Sequence, residues 1–92
     1  MKKFVIERIL PGAGNLSPQE LREMSQASCN SIHQLGKPYH WIESFVTGDK
    51  IYCIHIAESE AVVREHARLG NFPIHTISEV KSMIDPETGG AG

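Results

Sequence analysis

Cysteine is scarce in this chain: two thiols, Cys29 and Cys53, in 92 residues. That excludes the dense disulfide framework of a tiny secreted domain. A basic excess is missing as well. Nine Lys and Arg stand against eleven Asp and Glu, for a formal net charge of −2. No net positive field draws in nucleic acid or an anionic membrane, so neither is an expected partner. The unbroken apolar runs are only a few residues long, far short of a membrane span. Met1-Lys2-Lys3 leads straight into a strand-like stretch, with no export-signal pattern, so a cytoplasmic location with reduced thiols is expected. The metal-ligand spacings C-x-x-C, H-x-x-x-H and H-E-x-x-H are absent. Pro11-Gly12-Ala13-Gly14-Asn15 carries two glycines but no following lysine, so it is no phosphate loop.

What is present suits one small globular domain. Apolar residues make up 40% and charged residues 22%, enough to fold and too apolar for disorder. A domain of this length buries only a modest share of its surface. Phe4 to Leu10 is β-branched and apolar and stops at Pro11-Gly12, which predicts a first strand. Ser17 then caps a helix, with Pro18 at its first position, Glu20 closing a capping box and Leu16 with Leu21 as a staple. Leu21, Met24, Ser28, Ile32 and Leu35 form its apolar stripe, weak only at Ser28. Gly36 and Pro38 end it. Tyr39 to Val46 and Ile51 to Ile56 read as a hairpin turning at Thr47-Gly48-Asp49-Lys50. Ser59 caps a second helix through Leu69, with Gly70 and Pro73 as stop signals. Ile74 to about Ile84 reads as a last strand, bent near Ser78. The order β-α-β-β-α-β predicts an α+β, ferredoxin-like domain over residues 1–86, with a four-stranded antiparallel sheet and two helices on one face. Residues 87–92 contain nothing apolar to bury beyond one alanine and are expected to be a flexible tail.

Strand alternation then sorts the side chains. Pairing Val46 with Ile51 sets Ser44 opposite Cys53 and Ile42 opposite His55, with His40 diagonal to His55. Trp41, Glu43, Phe45, Tyr52, Ile54 and Ile56 form the more apolar set and are expected under the helices, joined by Phe4 and Ile6. The open face would carry Val5, Glu7, Ile9, His40, Ile42, Ser44, Val46, Ile51, Cys53 and His55. Half of these are aliphatic, too greasy for free water and too polar for a sealed core. A second copy packing sheet on sheet, a ligand cavity, or both would explain such a face. A dimer would also relieve the small-domain problem.

Five histidines in so short a chain raise a metal site. His33 and His75 read as solvated. His40, His55, Glu7 and Cys53 would converge on the open face, offering donors a divalent ion such as Ni²⁺ or Zn²⁺ accepts. The alternative is a polar interface of satisfied histidines. His66 lies on the stripe Val62-His66-Leu69, where a core histidine bonded to backbone is the plainer reading. Glu43 on an apolar face would need a cationic partner such as Arg8, Lys81 or Arg64. Cys53 reads as a buried, unreactive thiol, and Trp41, Phe45 and Tyr52 as core.

Ile6-Glu7-Arg8, Trp41-Ile42-Glu43-Ser44-Phe45-Val46, Asp49-Lys50-Ile51-Tyr52-Cys53 and Arg64-Glu65-His66-Ala67-Arg68 with Gly70-Asn71-Phe72-Pro73 resemble the small family known as domain of unknown function 4242. That family is also described as nickel-binding-protein-like. The likeness runs from about Lys3 to Pro86. It implies a ferredoxin-like fold, sheet-packed dimers and, in at least one branch, nickel. Of the candidate residues, Glu7, Ser44, Cys53, Glu65 and His66 match its pattern, with Glu7 and His66 as the foremost polar anchors. The expected metal set is therefore Glu7, His66, His55, His40 and Cys53, and the expected pocket set is Ser44, Glu43, Trp41 and Glu65. Three functions follow. The first is a dimeric nickel-binding module with no organic cofactor. The second is a cofactor-free enzyme or ligand-binding protein of the dimeric α+β barrel type, with Glu7 as base and His55 as acid. The third is a dimer without ligand.

Overall fold

The computed structural model describes residues 1–90. Eight elements follow in order: β1 (Lys2–Ile9), a 3₁₀ turn (Ala13–Asn15), α1 (Pro18–Leu35), β2 (Tyr39–Val46), β3 (Lys50–Ala57), α2 (Glu60–Gly70), β4 (Thr76–Glu79) and a second 3₁₀ turn (Pro86–Gly89). The sheet is antiparallel in the order β2-β3-β1-β4, the ferredoxin-like arrangement. No helix is long and apolar enough to cross a membrane.

Local chemistry explains the elements. At α1 the Ser17 hydroxyl accepts from the Glu20 backbone N–H, and the Glu20 carboxylate accepts from the Ser17 N–H, so two orphan donors of the first turn are satisfied. Gly36 closes the helix in the left-handed region, φ 64°, where a Cβ would be strained. At α2 the left-handed residue is Asn71, φ 56°, one position beyond the glycine expected to stop the helix. The Gly-rich loop after β1 has a structural role. The Gly12 N–H donates to the Asp49 carboxylate, and the Gly14 N–H donates to the Gly48 carbonyl at 2.9 Å. A Cβ at Gly14 would stand 3.1 Å from the Gly48 Cα, so glycine lets the loop lie against the hairpin turn.

The final strand is four residues, shorter than the eleven-residue reading, because β1 pairs with it only from Phe4 to Glu7. Where the domain meets the expected flexible tail of residues 87–92, Pro86–Gly89 forms a 3₁₀ turn capped by Asp85. Ala91 and Gly92 of that segment lie outside the described residues.

The hairpin register is the expected one, with Val46 opposite Ile51 and Ser44 opposite Cys53. The assignment of faces is reversed for β3 and most of β2. In β1, Phe4, Ile6 and Arg8 are buried, and they stand opposite His55, Cys53 and Ile51. Directly opposed residues share a face, so the helices cover Ile51, Cys53, His55 and Ala57. Tyr52, Ile54 and Ile56 go to the open face, where Phe45 is 53% exposed. A β-bulge between Trp41 and Glu43 leaves Ile42 without an opposite residue. It turns Trp41 and Ser44 to the same, helix-covered side and places His40 and Glu43 on the open one.

Candidate functional site

The helix-covered face holds an unusual number of polar side chains. Arg8 is 6% exposed, His55 1% and His66 0%. Arg8 comes from β1, where it has the same parity as the core residues Phe4 and Ile6. Its Nη1–H donates to the Pro73 carbonyl at 2.8 Å, and its guanidinium sits 5.5 Å from the centre of the Phe72 ring. Among the described residues no carboxylate pairs with it.

His55 and His66 meet on this face, 5.3 Å between ring centres. Tyr39 lies against both, edge-on to His55 and stacked on His66 at 4.6 Å. The Tyr39 hydroxyl hydrogen-bonds His55 Nδ1. His66 Nε2 lies 3.3 Å from the Ser28 carbonyl and 3.4 Å from the Ser28 hydroxyl, while its buried Nδ1 has no partner among the described residues. The weak place in the α1 stripe is therefore where α2 inserts its histidine. Burial, then the neighbouring His66, then Arg8 lower the His55 pKa to about 3. Burial also lowers His66, against the Ser28 carbonyl. Tyr39 is raised by burial. Both imidazoles are accordingly neutral at pH 7.

A cavity of about 270 Å³ lies between α1 and the sheet. Its walls are Leu21, Met24, Ser25 and Ser28 of α1, Arg8, Trp41, Ser44, Val46, Ile51, Cys53 and His55 of the sheet, and Leu10, Phe72 and Pro73 of the loops. Trp41 Nε1–H donates to the Ser44 hydroxyl at 2.9 Å, which donates to Cys53 Sγ at 3.0 Å. That chain exists because the bulge puts Trp41 and Ser44 side by side. It leaves Cys53 a buried thiol, as expected.

The sequence-expected residues divide between two places. His55, His66 and Cys53 share the covered face, and Ser44 and Trp41 line its cavity. Glu7 and His40 lie on the open face. Glu7 accepts from Lys50 Nζ at 3.0 Å and from the Tyr52 hydroxyl at 3.3 Å, and the Lys50 contact holds its pKa below the usual carboxylate range. Glu43 is exposed and without the cationic partner foreseen for it. Glu65 pairs with Arg68 at 2.6 Å on the surface of α2, away from the cavity. Glu7 and His55 stand on opposite faces and cannot serve as base and acid at one site of one chain. Phe45 and Tyr52, expected in the core, face outward. His66 reaches His55 because His55, and not the open-face set, lies under the helices.

Sequence reading missed Arg8, Tyr39 and Phe72 as site residues. The available signal was parity: a charged Arg8 on the same alternation as Phe4 and Ile6.

Residues 4–80 match the family described as nickel responsive protein SCO4226-like. The crystal structure of SCO4226 from Streptomyces coelicolor A3(2) superimposes with a TM-score of 0.71 at 21% identity, covering 89% of this chain and 99% of that one. No curated protein matches the chain. The structural likeness carries the ferredoxin-like fold expected from the element order, and the family match covers the segments on which the resemblance rested. The chain belongs to the SCO4226-like family of nickel-responsive proteins.

Proposed function

We propose that this chain is a small-molecule-binding protein that works as a homodimer through its open sheet face. The cavity beneath α1 is the observation that carries the first half. It is larger than the roughly 150 Å³ engineered cavity that accepts benzene, its lining is mainly apolar, and its few polar side chains are Arg8, Ser25, Ser28, Ser44 and His55. The open face supports the second half. Ile9 is 45% exposed and Phe45 53%, beside the half-buried Val5, Ile54 and Ile56.

Trp41 is the only tryptophan and lines the cavity, so its emission reports occupancy. Small aromatic compounds of matched shape, 3-phenylpropionate and 3-phenylpropanamide, are expected to change Trp41 emission saturably and to raise the melting temperature. Silence from both would overturn the cavity reading. For the dimer, Phe45→Glu is expected to halve the mass seen by sedimentation while leaving the circular dichroism spectrum intact. A wild-type chain that sediments as a monomer would contradict it.

Nickel needs a separate reading. Among the described residues no three His, Cys, Asp or Glu side chains come together. The nearest imidazole pair, His55 and His66, lies beside the Arg8 cation, and Tyr39 and Ser28 hold one nitrogen of each ring, so the pair offers two donors and no third. The donors of one chain therefore do not fit a divalent ion. Glu7, Glu43 and His40 all lie on the open face, so a metal held by this protein would take ligands from two copies. Calorimetry with Ni²⁺ on tag-free protein is expected to give heat from the wild type and none from monomeric Phe45→Glu. Heat retained by the monomer would contradict the shared site.

A further inference from the structure

We infer that the cavity beneath α1 takes an amphipathic monocarboxylic acid, its carboxylate on Arg8 and His55 and its apolar body between Trp41 and the α1 side chains. This rests on the cavity reading above and names the ligand class.

Arg8 is the starting point. A buried guanidinium is costly unless an anion or several acceptors compensate it. Here one carbonyl, that of Pro73, and one aromatic ring, that of Phe72, face it. Guanidinium offers five N–H donors in a planar fork, so most of that fork is unused among the described residues. The side chain lines the cavity, so a ligand entering there meets it. Carboxylate is the group whose two oxygens match the fork, with the added strength of a charge-assisted pair.

His55 adds a second donor. Its Nδ1 is engaged by the Tyr39 hydroxyl, and its Nε2 has no partner among the described residues. With Tyr39 donating to Nδ1, the ring proton sits on Nε2, and His55 lines the same cavity. The imidazole is neutral, so the site carries a single positive charge. A monoanion balances it, and a doubly charged phosphate overshoots it. Most of the remaining wall is apolar, Leu21, Met24, Ile51 and Trp41 among it, with three serine hydroxyls, which calls for an apolar body larger than benzene.

The experiment compares 3-phenylpropionate with its neutral amide, 3-phenylpropanamide, on the unaltered protein, by Trp41 emission and calorimetry. The acid is expected to bind at least about tenfold more tightly, the ratio a charge-assisted pair supplies. Acetate, which has the head without the body, is expected to bind far more weakly than the acid. Arg8→Met, folded by circular dichroism, is expected to erase the preference for the acid while still admitting the amide. Should Arg8→Met not fold, the acid-to-amide ratio on the wild type decides alone. Equal affinity for acid and amide overturns the carboxylate assignment and leaves the cavity reading standing. Failure of both compounds overturns the two together.

Discussion

The two faces of the sheet depart from a clean division of polarity. The face under the helices carries Arg8, His55 and Cys53 along with Phe4 and Ile6, and receives Tyr39 and His66. The face without helices carries Val5, Ile9, Phe45, Ile54 and Ile56 around one ion pair, Glu7 with Lys50. Polarity is thus an incomplete guide to burial here: Arg8, Ser31, His55 and His66 are buried beside an apolar core. In the proposed reading the converging donors inside serve a small ligand, and the aliphatic area outside serves a second chain.

The contrast can be broken in steps. Ile6 is fully buried and Val5, its neighbour on the other face, is half-exposed. Ile6→Ala is expected to cost about 2–5 kcal/mol, from lost transfer energy and the cavity left behind, with Val5→Ala costing much less. Urea denaturation of the two variants checks this, and equal costs would mean that the faces are misassigned. A second effect comes from acid. His55, lowered to about 3, and His66, also lowered, stay neutral in the fold while an unfolded chain protonates its histidines near pH 6.5. The unfolded state then binds more protons, so stability falls as pH drops below about 6.5 and keeps falling toward the folded values. Each histidine contributes a slope of at most about 1.4 kcal/mol per pH unit. Urea midpoints between pH 6.5 and 5, above the ordinary carboxylate range, isolate this contribution, and a flat profile there would contradict the burial of both rings.

A smaller effect is expected at Gly70. Alanine at a helix position ordinarily gains up to about 1 kcal/mol over glycine. Here its Cβ would overlap the Phe72 ring, the ring that faces Arg8 and lines the cavity. Gly70→Ala is therefore expected to lower the melting temperature and shift Trp41 emission. The smallest effect belongs to the open face: Glu7→Gln removes a partly screened ion pair, so its effect on melting temperature is expected to be slight and to vanish in high salt.

Much of the fold was legible because local signals agreed. The Ser17 capping box, Gly36 beyond α1, and the Thr47–Lys50 turn fixed where elements start and stop. Which face the helices cover was not legible, for two physical reasons. In β3 both alternations are apolar, and the set Tyr52, Ile54, Ile56 is the greasier one, so hydrophobicity pointed the wrong way. In β2 the bulge at Ile42 breaks the period of two, so His40 and Ser44 part company despite their even spacing. The site inherited that error. His55, His66, Cys53, Ser44 and Trp41 were singled out from sequence and do share the covered face, but with Arg8 and without Glu7 and His40. Arg8 was read only as a partner for Glu43, although its parity with Phe4 and Ile6 already placed it on the covered face.

The central claim is that ligand binds under the helices and the open face is left for a second chain. Amide and side-chain NMR spectra of labelled protein titrated with 3-phenylpropionate test it most directly. The shifts are expected to cluster at Arg8, Trp41, Ser44, His55 and Phe72. Shifts confined to Glu7, Phe45, Tyr52 and Ile54 would place the ligand on the other face and contradict it.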